Sequence, residues 1–312
     1  MATVKASDIV AGVIRVYEMG CGYIWGTHGV KWTEAKQKAG SKENNAKTQA
    51  YGSQWIGSTV YDCSGLEYDV LGKLGLNIKH SCNSIWNGYL SEKGTLSQFP
   101  PEKRLPGMPV FKTSGSDRHH MGTYIGAGWV VEAKGTQTGV VISKWETWDE
   151  CGYYKNVDFD LPWDWTLPEF HFDIYPPLRG FNTCRSGSAG ASVRYVQVLL
   201  HDRWDAGLVV DNYYGSNTIA AVKAFQAAHG LSVDGVTGPM TIAALEKALP
   251  IGVDPEPVPI PIPIPIDDSA WYEVLQQMRD VQATSADLNA RIVQLIESLN
   301  MILMEAKQNV VG

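Results

Sequence analysis

Tyr61-Asp62-Cys63-Ser64-Gly65-Leu66 places a cysteine between a Gly/Ser-rich loop and a run in which Leu66, Val70, Leu71 and Leu74 recur at helical spacing before Gly75. That spacing predicts a helix that starts near Cys63 and is closed by the glycine. The first turn of a helix carries backbone N–H groups with no intrahelical partner, and their partial positive charge lowers the pKa of a thiol set against them. The thiolate is the attacking form of cysteine, so Cys63 reads as a nucleophile.

A cysteine hydrolase also needs an imidazole to take the thiol proton and return it to the leaving amine. Of seven histidines, His120 is the best placed. It opens the strand-like run His120-Met121-Gly122-Thr123-Tyr124-Ile125-Gly126, whose glycine two positions on lets a neighbouring chain approach closely. Glu132 follows twelve residues later in Trp129-Val130-Val131-Glu132-Ala133. In an antiparallel hairpin the two come side by side, where the carboxylate fixes the tautomer of His120 and stabilises its charged form. Either residue alone equally fits a solvated strand face; their mutual spacing is what joins them. His119, next to Arg118, fits an exposed loop.

Around this core the chain reads as α+β. Val110-Phe111, Met121 to Ile125, Trp129 to Val131 and Val140-Val141-Ile142 are short β-like runs separated by Gly-containing turns, as in a small antiparallel meander. Thr27 to Gln54, rich in Lys, Asn and Gln, predicts an exposed insertion. The aromatic, Pro-containing stretch from Tyr153 to Pro177 has no period and is expected to wrap the end of a first domain at 1–177.

A length of 312 residues, 44% of them hydrophobic and 19% charged, suits two globular domains with additions. The net charge of −7 comes without a Lys/Arg cluster, which excludes phosphate-driven nucleic-acid binding and disfavours adsorption to a membrane surface. No stretch is apolar enough to span a bilayer. Eleven Trp and fourteen Tyr against seven Phe suit sites where amphipathic rings stack on sugars or peptides, as well as filling a core. Cys21, Cys63, Cys82, Cys151 and Cys184 are odd in number and lack C-x-x-C spacing. They predict neither a zinc site nor a complete disulfide framework, and no metal or cofactor is expected. Met1 to Met19 lacks the apolar core of a signal peptide and reads as an amphipathic helix with Ile9, Val10, Val13, Ile14 and Tyr17 on one face. On that reading the product stays in a cytoplasm until something else releases it.

Past residue 178 an internal repeat appears. Val210-Asp211-Asn212-Tyr213-Tyr214-Gly215-Ser216-Asn217-Thr218-Ile219 is echoed 23 residues later by Val233-Asp234-Gly235-Val236-Thr237-Gly238-Pro239-Met240-Thr241-Ile242. Each copy predicts a turn capped by Thr and followed by a helix, and neither buries its apolar face without the other, giving a compact all-helical module at 178–250. Proline at every second position over 255–265 denies that segment helix and sheet hydrogen bonds. The expectation is a polyproline II linker, 251–267, rising roughly 3.1 Å per residue. Asp268 and Ser269 then offer an N-cap, and heptads counted from Trp271 keep an apolar seam that only Ser285 and Asn309 break. A C-terminal coiled-coil helix over 268–312, making the chain a homo-oligomer through 268–309, is expected.

The motifs together resemble those of the NlpC/P60 cysteine peptidases, which cut peptidoglycan stem peptides. Asp62 to Leu66 matches the family's Asp-Cys-Ser-Gly-Leu, Tyr23-Ile24-Trp25-Gly26 its Tyr-x-Trp-Gly, and His120 to Gly126 its His-Val-Gly-Ile-Tyr-x-Gly. Leu105-Pro106-Gly107-Met108 approximates its Leu-x-Pro-Gly-Asp turn, with Met108 for the aspartate as a structural change. The resemblance covers about residues 5 to 150 and implies a papain-like fold, N-terminal helices packed on an antiparallel sheet. It implies Cys63 as nucleophile, His120 as base, and Tyr23 in the oxyanion environment, with Asp62 and Ser64 in the same oxyanion and substrate set. Asp62 is open to two readings, anchor for a substrate amine or helix cap. The third polar residue, commonly histidine in the family, falls on Glu132.

The repeat resembles the peptidoglycan-binding type 1 module. Val193-Arg194-Tyr195-Val196-Gln197-Val198-Leu199-Leu200 matches its opening, Asp234 to Thr241 its Asp-Gly-x-x-Gly-x-x-Thr turn, and Ala221-Val222-Lys223-Ala224-Phe225-Gln226 its helix. The two resemblances imply a peptidoglycan endopeptidase held to its substrate, cutting between γ-D-Glu and the diamino acid by a Cys/His thiol mechanism. The N-terminus adds the expectation of a phage-type lysin released through a separate pore, or of a secreted autolysin without its leader. A non-catalytic wall-binding or assembly protein, and an amidase or transpeptidase using the same thiol, stay open.

Overall fold

The computed structural model describes residues 3–41, 45–174, 176–177, 180–204 and 206–248. The proline spacer and the heptad helix, and with them the homo-oligomer expectation, lie outside the described residues.

The chain opens with β1 (Val4–Lys5) and α1 (Ala6–Glu18). Ile9, Val10, Val13, Ile14 and Tyr17 of α1 are buried, as the helical spacing predicts, and each aliphatic member contributes about 1.5–3 kcal/mol by leaving water. There follow β2 (Gly22–Tyr23), β3 (His28–Lys31), α2 (Glu34–Ala39), α3 (Asn45–Tyr51), β4 (Thr59–Tyr61), α4 (Cys63–Lys73) and α5 (Cys82–Gly88). The sheet strands come next: β5 (Leu90–Thr95), β6 (Pro109–Ser114), β7 (Asp117–Gly126), β8 (Trp129–Gly135), β9 (Gly139–Lys144) and β10 (Glu150–Tyr154). Then β11 (Val157–Asp158) pairs in parallel with β1 and returns the chain to its start.

The central sheet has the order β5-β10-β6-β7-β8-β9, and its pairings are antiparallel. The predicted meander is its run of four strands β6-β7-β8-β9. Helices α1, α4 and α5 pack on β7. With Phe111 and Met121 buried among α5 residues, and Val110 and Tyr124 in a separate core with Phe99, Met108 and Trp145, the alternation of the strands fills both sides of the sheet. This is the α+β arrangement of helices on an antiparallel sheet that the sequence predicts.

Two expectations are refined. Residues 27–54 are mostly exposed, as expected, but they are ordered as β3, α2, α3 and a short 3₁₀ turn, and bury Trp32 and Thr48. Trp55, which follows, is 1% exposed, and its indole N–H donates to the Thr136 carbonyl at 2.7 Å. A few widely spaced anchors hold a mostly polar segment, so neither a helical nor a strand period could reveal it. In the second module the threonines do not cap their helices. The helices are α6 (Ala191–Trp204), α7 (Ser216–Ala228) and α8 (Pro239–Lys247), and the last two begin after Gly215 and Gly238 without a side-chain cap.

A glutamine from the preceding helix instead ties each turn to its threonine. Gln197 Nε2 donates to Asp211 Oδ1, the Tyr213 carbonyl and Thr218 Oγ1, while its Oε1 accepts from Asn212 N–H. Gln226 repeats the pattern on Asp234, Val236, Thr241 and Gly235. Asn212 (φ 59°) and Gly235 (φ 73°) occupy the same left-handed turn position, which asparagine tolerates better than most residues.

The module is packed on the first domain. Val198 and Val210 share a core with Val10, Ile14 and Tyr17, and the Tyr17 hydroxyl donates to the Val210 carbonyl at 3.0 Å. The buried Arg194 guanidinium donates to the carbonyls of Glu18 and Asp173, and Asn212 Nδ2 donates to the Thr138 carbonyl at 2.7 Å. Residues on both sides of position 177 thus belong to one compact unit.

Candidate active site

Two of the sequence motifs lock together around Asp62. Its Oδ1 accepts from Gly65 N–H at 2.7 Å, capping α4, and its Oδ2 accepts from Gly26 N–H at 2.8 Å, holding the Tyr23–Gly26 turn. Asp62 N–H in turn donates to the Thr27 carbonyl at 2.8 Å. A Cβ on Gly65 would lie 2.0 Å from that same carbonyl oxygen, so only glycine lets the helix start sit against the loop. His80 Nε2 lies 2.7 Å from Asp62 Oδ1, which leaves the carboxylate occupied by two backbone donors and an imidazole. This favours the capping reading of Asp62. Ser64 is buried in the same first turn, 3.4 Å from Asp62 Oδ1.

Cys63 is therefore the first residue of α4, buried to 8% exposure. Its Sγ lies 3.8 Å from Cys82 Sγ at the start of α5. Hydrogen bonding with Cys82 and with His120 outweighs the effect of burial and holds the Cys63 thiol well below the ordinary thiol range. His120 is set on β7. Burial works against its charge, but hydrogen bonds to Cys63 and Glu132 prevail and raise it to about 9. The two shifts run in the directions that favour a thiolate beside an imidazolium.

Glu132 Oε2 lies 2.6 Å from His120 Nε2, which leaves Nδ1 of the ring for the thiol side. Burial disfavours the Glu132 carboxylate, yet the His120 hydrogen bond and charge hold its pKa below the ordinary value. Its other oxygen, Oε1, is buried without a hydrogen-bond partner, with the Lys134 ammonium 4.0 Å away. Gly122 makes the contact possible. His120 and Gly122 share a face of β7, and a Cβ at Gly122 would come 3.2 Å from Glu132 Cβ and 2.6 Å from the Val131 carbonyl. Trp148 stacks on the His120 ring, 5.4 Å between centroids and 12° between planes, fixing its tilt.

Tyr23, on β2, is buried beside these groups, and burial together with the Cys63 and Asp62 charges keeps its hydroxyl protonated. A neutral phenol there is a donor, as an oxyanion contact requires. Among the described residues no three His, Cys, Asp or Glu side chains converge as a metal cage, and no helix is long and apolar enough to cross a membrane.

Residues 40–154 match the NlpC/P60 family, and residues 189–245 match the putative peptidoglycan binding domain. The chain carries an NlpC/P60 domain followed by a peptidoglycan-binding domain. Among curated relatives, the zinc D-Ala-D-Ala carboxypeptidase of Streptomyces albus G is 41% identical over 61 residues, 19% of this chain and 24% of that protein. A probable N-acetylmuramoyl-L-alanine amidase of Bacillus licheniformis is 34% identical over 84 residues, 26% of this chain and 22% of that protein. The chain spans about a quarter of the length of these two relatives. Among solved structures, the NlpC/p60 domain of the peptidoglycan hydrolase SagA is 19% identical, with a TM-score of 0.32 over 48% of this chain and 99% of that one.

Within the NlpC/P60 domain, the structure brings Cys63, His120, Glu132, Tyr23, Asp62 and Ser64 to one place. It adds residues with no signal in the sequence: Cys82, His80 and Trp148, which arrive from separate elements, and Glu67, one helical turn past Cys63. Glu67 is fully buried and accepts from the hydroxyls of Thr123 and Tyr154. It ties α4, the helix of Cys63, to β7, the strand of His120. Met108, in the Leu105–Met108 turn, is fully buried in the core on the far side of the sheet from α5, so the missing aspartate is replaced by packing. Cys21, Cys151 and Cys184 are buried, unpaired, and pushed up to about 12 by burial, which leaves them inert.

Proposed function

We propose that this protein is a peptidoglycan endopeptidase that hydrolyses an amide bond of the stem peptide, between γ-D-Glu and the diamino acid, through a Cys63 thioester. The observation that carries the reading is the set Cys63, His120, Glu132, in which His120 interacts with both partners, lies 2.6 Å from the buried Glu132 carboxylate, and all three groups are shifted toward their charged forms. The Cys63 thiolate attacks the scissile carbonyl carbon. The oxyanion forms near the start of α4 and the Tyr23 hydroxyl. His120 gives its proton to the departing amine nitrogen, and the C–N bond breaks to leave a thioester. Neutral His120 then takes a proton from water as it attacks the thioester, and the carboxylate product leaves with Cys63 restored. Glu132 holds the ring and its charge through both steps.

The second module supports the wall as the place of action. Because it is packed on the NlpC/P60 domain, it holds the thiol at a set distance from whatever glycan or peptide it binds, raising the local concentration of scissile bonds. The test is digestion of purified cell walls followed by mass spectrometry of the released muropeptides. New amino termini on the third stem residue, with wild type and not with Cys63→Ala, are expected. Cleavage next to the muramoyl lactyl group would instead make the protein an amidase, and equal clearing by both proteins would remove the thiol mechanism.

A further inference from the structure

The mechanism above uses one of two thiols at the site. Cys82 comes from α5, a different element from the nucleophile, and its sulfur meets that of Cys63 at 3.8 Å, within hydrogen-bond range for sulfur. We propose that Cys82 is a catalytic hydrogen-bond donor, its S–H directed at the Cys63 thiolate. The inference rests on Cys63 being the nucleophile.

The direction of the bond follows from what surrounds each sulfur. Cys63 faces an imidazolium and begins a helix of eleven residues, both of which favour its negative charge. Cys82 sits in an apolar core with Ile9, Leu71, Ile78, Ile85 and Met121, where the Ser64 hydroxyl favours a second charge but burial outweighs it. Two thiolates at this separation would also repel. Cys82 therefore stays a thiol, and the hydrogen bond with Cys63, burial and the Cys63 charge push its pKa well above the ordinary range. An S–H donor beside a thiolate leaves the sulfur's attacking lone pair less basic but ionised over a wider pH range, which matters where the thiol is buried.

The remaining titratable groups that face Cys63 are Asp62 and Glu67 on its own helix, Tyr23 on β2, His80 before α5, and His120 on β7. Asp62, Glu67 and Tyr23 oppose a thiolate when charged. Among the titratable side chains of the described residues, only His120 and Cys82 are placed to donate to it, so removing Cys82 leaves His120 as the one such side-chain donor.

The experiment measures iodoacetamide alkylation of Cys63 in the full chain between pH 4 and 9, read at the Cys63 peptide so that labelling of Cys82 does not interfere. Cys82→Ala is expected to move the half-point of the profile up by about one pH unit, which is about tenfold slower labelling on the acid side. Cys82→Ser keeps a donor and is expected to stay close to wild type. Superimposable profiles for wild type and Cys82→Ala would overturn the proposal, as would a shift with Cys82→Ser as large as that with Cys82→Ala. Cys82→Val, which keeps the volume, replaces the alanine variant if near-UV circular dichroism shows that variant unfolded. Alkylation does not depend on which bond is cut, so an inactive protein whose profile still shifts would remove the endopeptidase reading and leave this one standing.

Discussion

His120 Nε2 and Glu132 Oε2 are 2.6 Å apart across neighbouring strands, beside Gly122, where a Cβ would come 3.2 Å from Glu132 Cβ. The carboxylate is 1% exposed, so its interaction with the ring is little screened by solvent.

From this contact follows the cost of losing it. In Glu132→Gln the ring keeps a partner of the same shape but loses the charge that holds it protonated, and kcat is expected to fall by about 10²-fold with little change in KM. Steady-state kinetics on a soluble stem-peptide substrate checks this. A change confined to KM would make Glu132 a binding residue.

The pH profile of kcat/KM should be broad. Its acid limb reports loss of the Cys63 thiolate, which hydrogen bonding to Cys82 and His120 places well below the ordinary thiol range. Its alkaline limb reports loss of the His120 proton at about 9. Activity is therefore expected to be flat across neutrality and to decline above about 9; an optimum confined to a narrow peak near 7 would contradict a resting thiolate–imidazolium pair.

Glu67 should make the fold pH-sensitive in the opposite sense to most carboxylates. Burial raises it from 4.5 to about 7, so the folded chain binds its proton more tightly than the unfolded one. Its contribution to stability is complete below 4.5 and is lost as pH rises through about 7. Glu67→Gln removes the charge, and at pH 8 it is expected to be more stable than wild type by on the order of 2 kcal/mol, the gap closing at pH 4. Urea midpoints at the two pH values measure it. An equal gap at both would assign the effect to packing.

Much of the site could be read in advance because its members sit in local motifs. Asp62 to Leu66 is both a helix start and a nucleophile turn, and His120 and Glu132 are twelve residues apart on one hairpin, so a strand period alone brings them together. Cys82, His80 and Trp148 could not be read that way. Each reaches the site from an element whose placement depends on how α5 and the β9–β10 connection pack on the sheet, and nothing local marks them. The same holds for residues 27–54, where Trp32 and Thr48, with Trp55 just beyond, are too far apart in sequence to make a pattern yet anchor the segment to the core.

The sequence by itself determined the local events: where α4 begins, that the β7–β8 hairpin pairs an imidazole with a carboxylate, and that Asn212 and Gly235 turn two equivalent repeats. These are set by backbone stereochemistry and by periods of two and 3.6 residues, which act over a few neighbours. Only the tertiary structure decided that Cys82 meets Cys63, that Glu67 is buried against Thr123 and Tyr154, and that the second module rests on the first through Tyr17, Arg194 and Asn212. Those contacts join residues tens to nearly two hundred positions apart, and burial away from water is what gives them their strength.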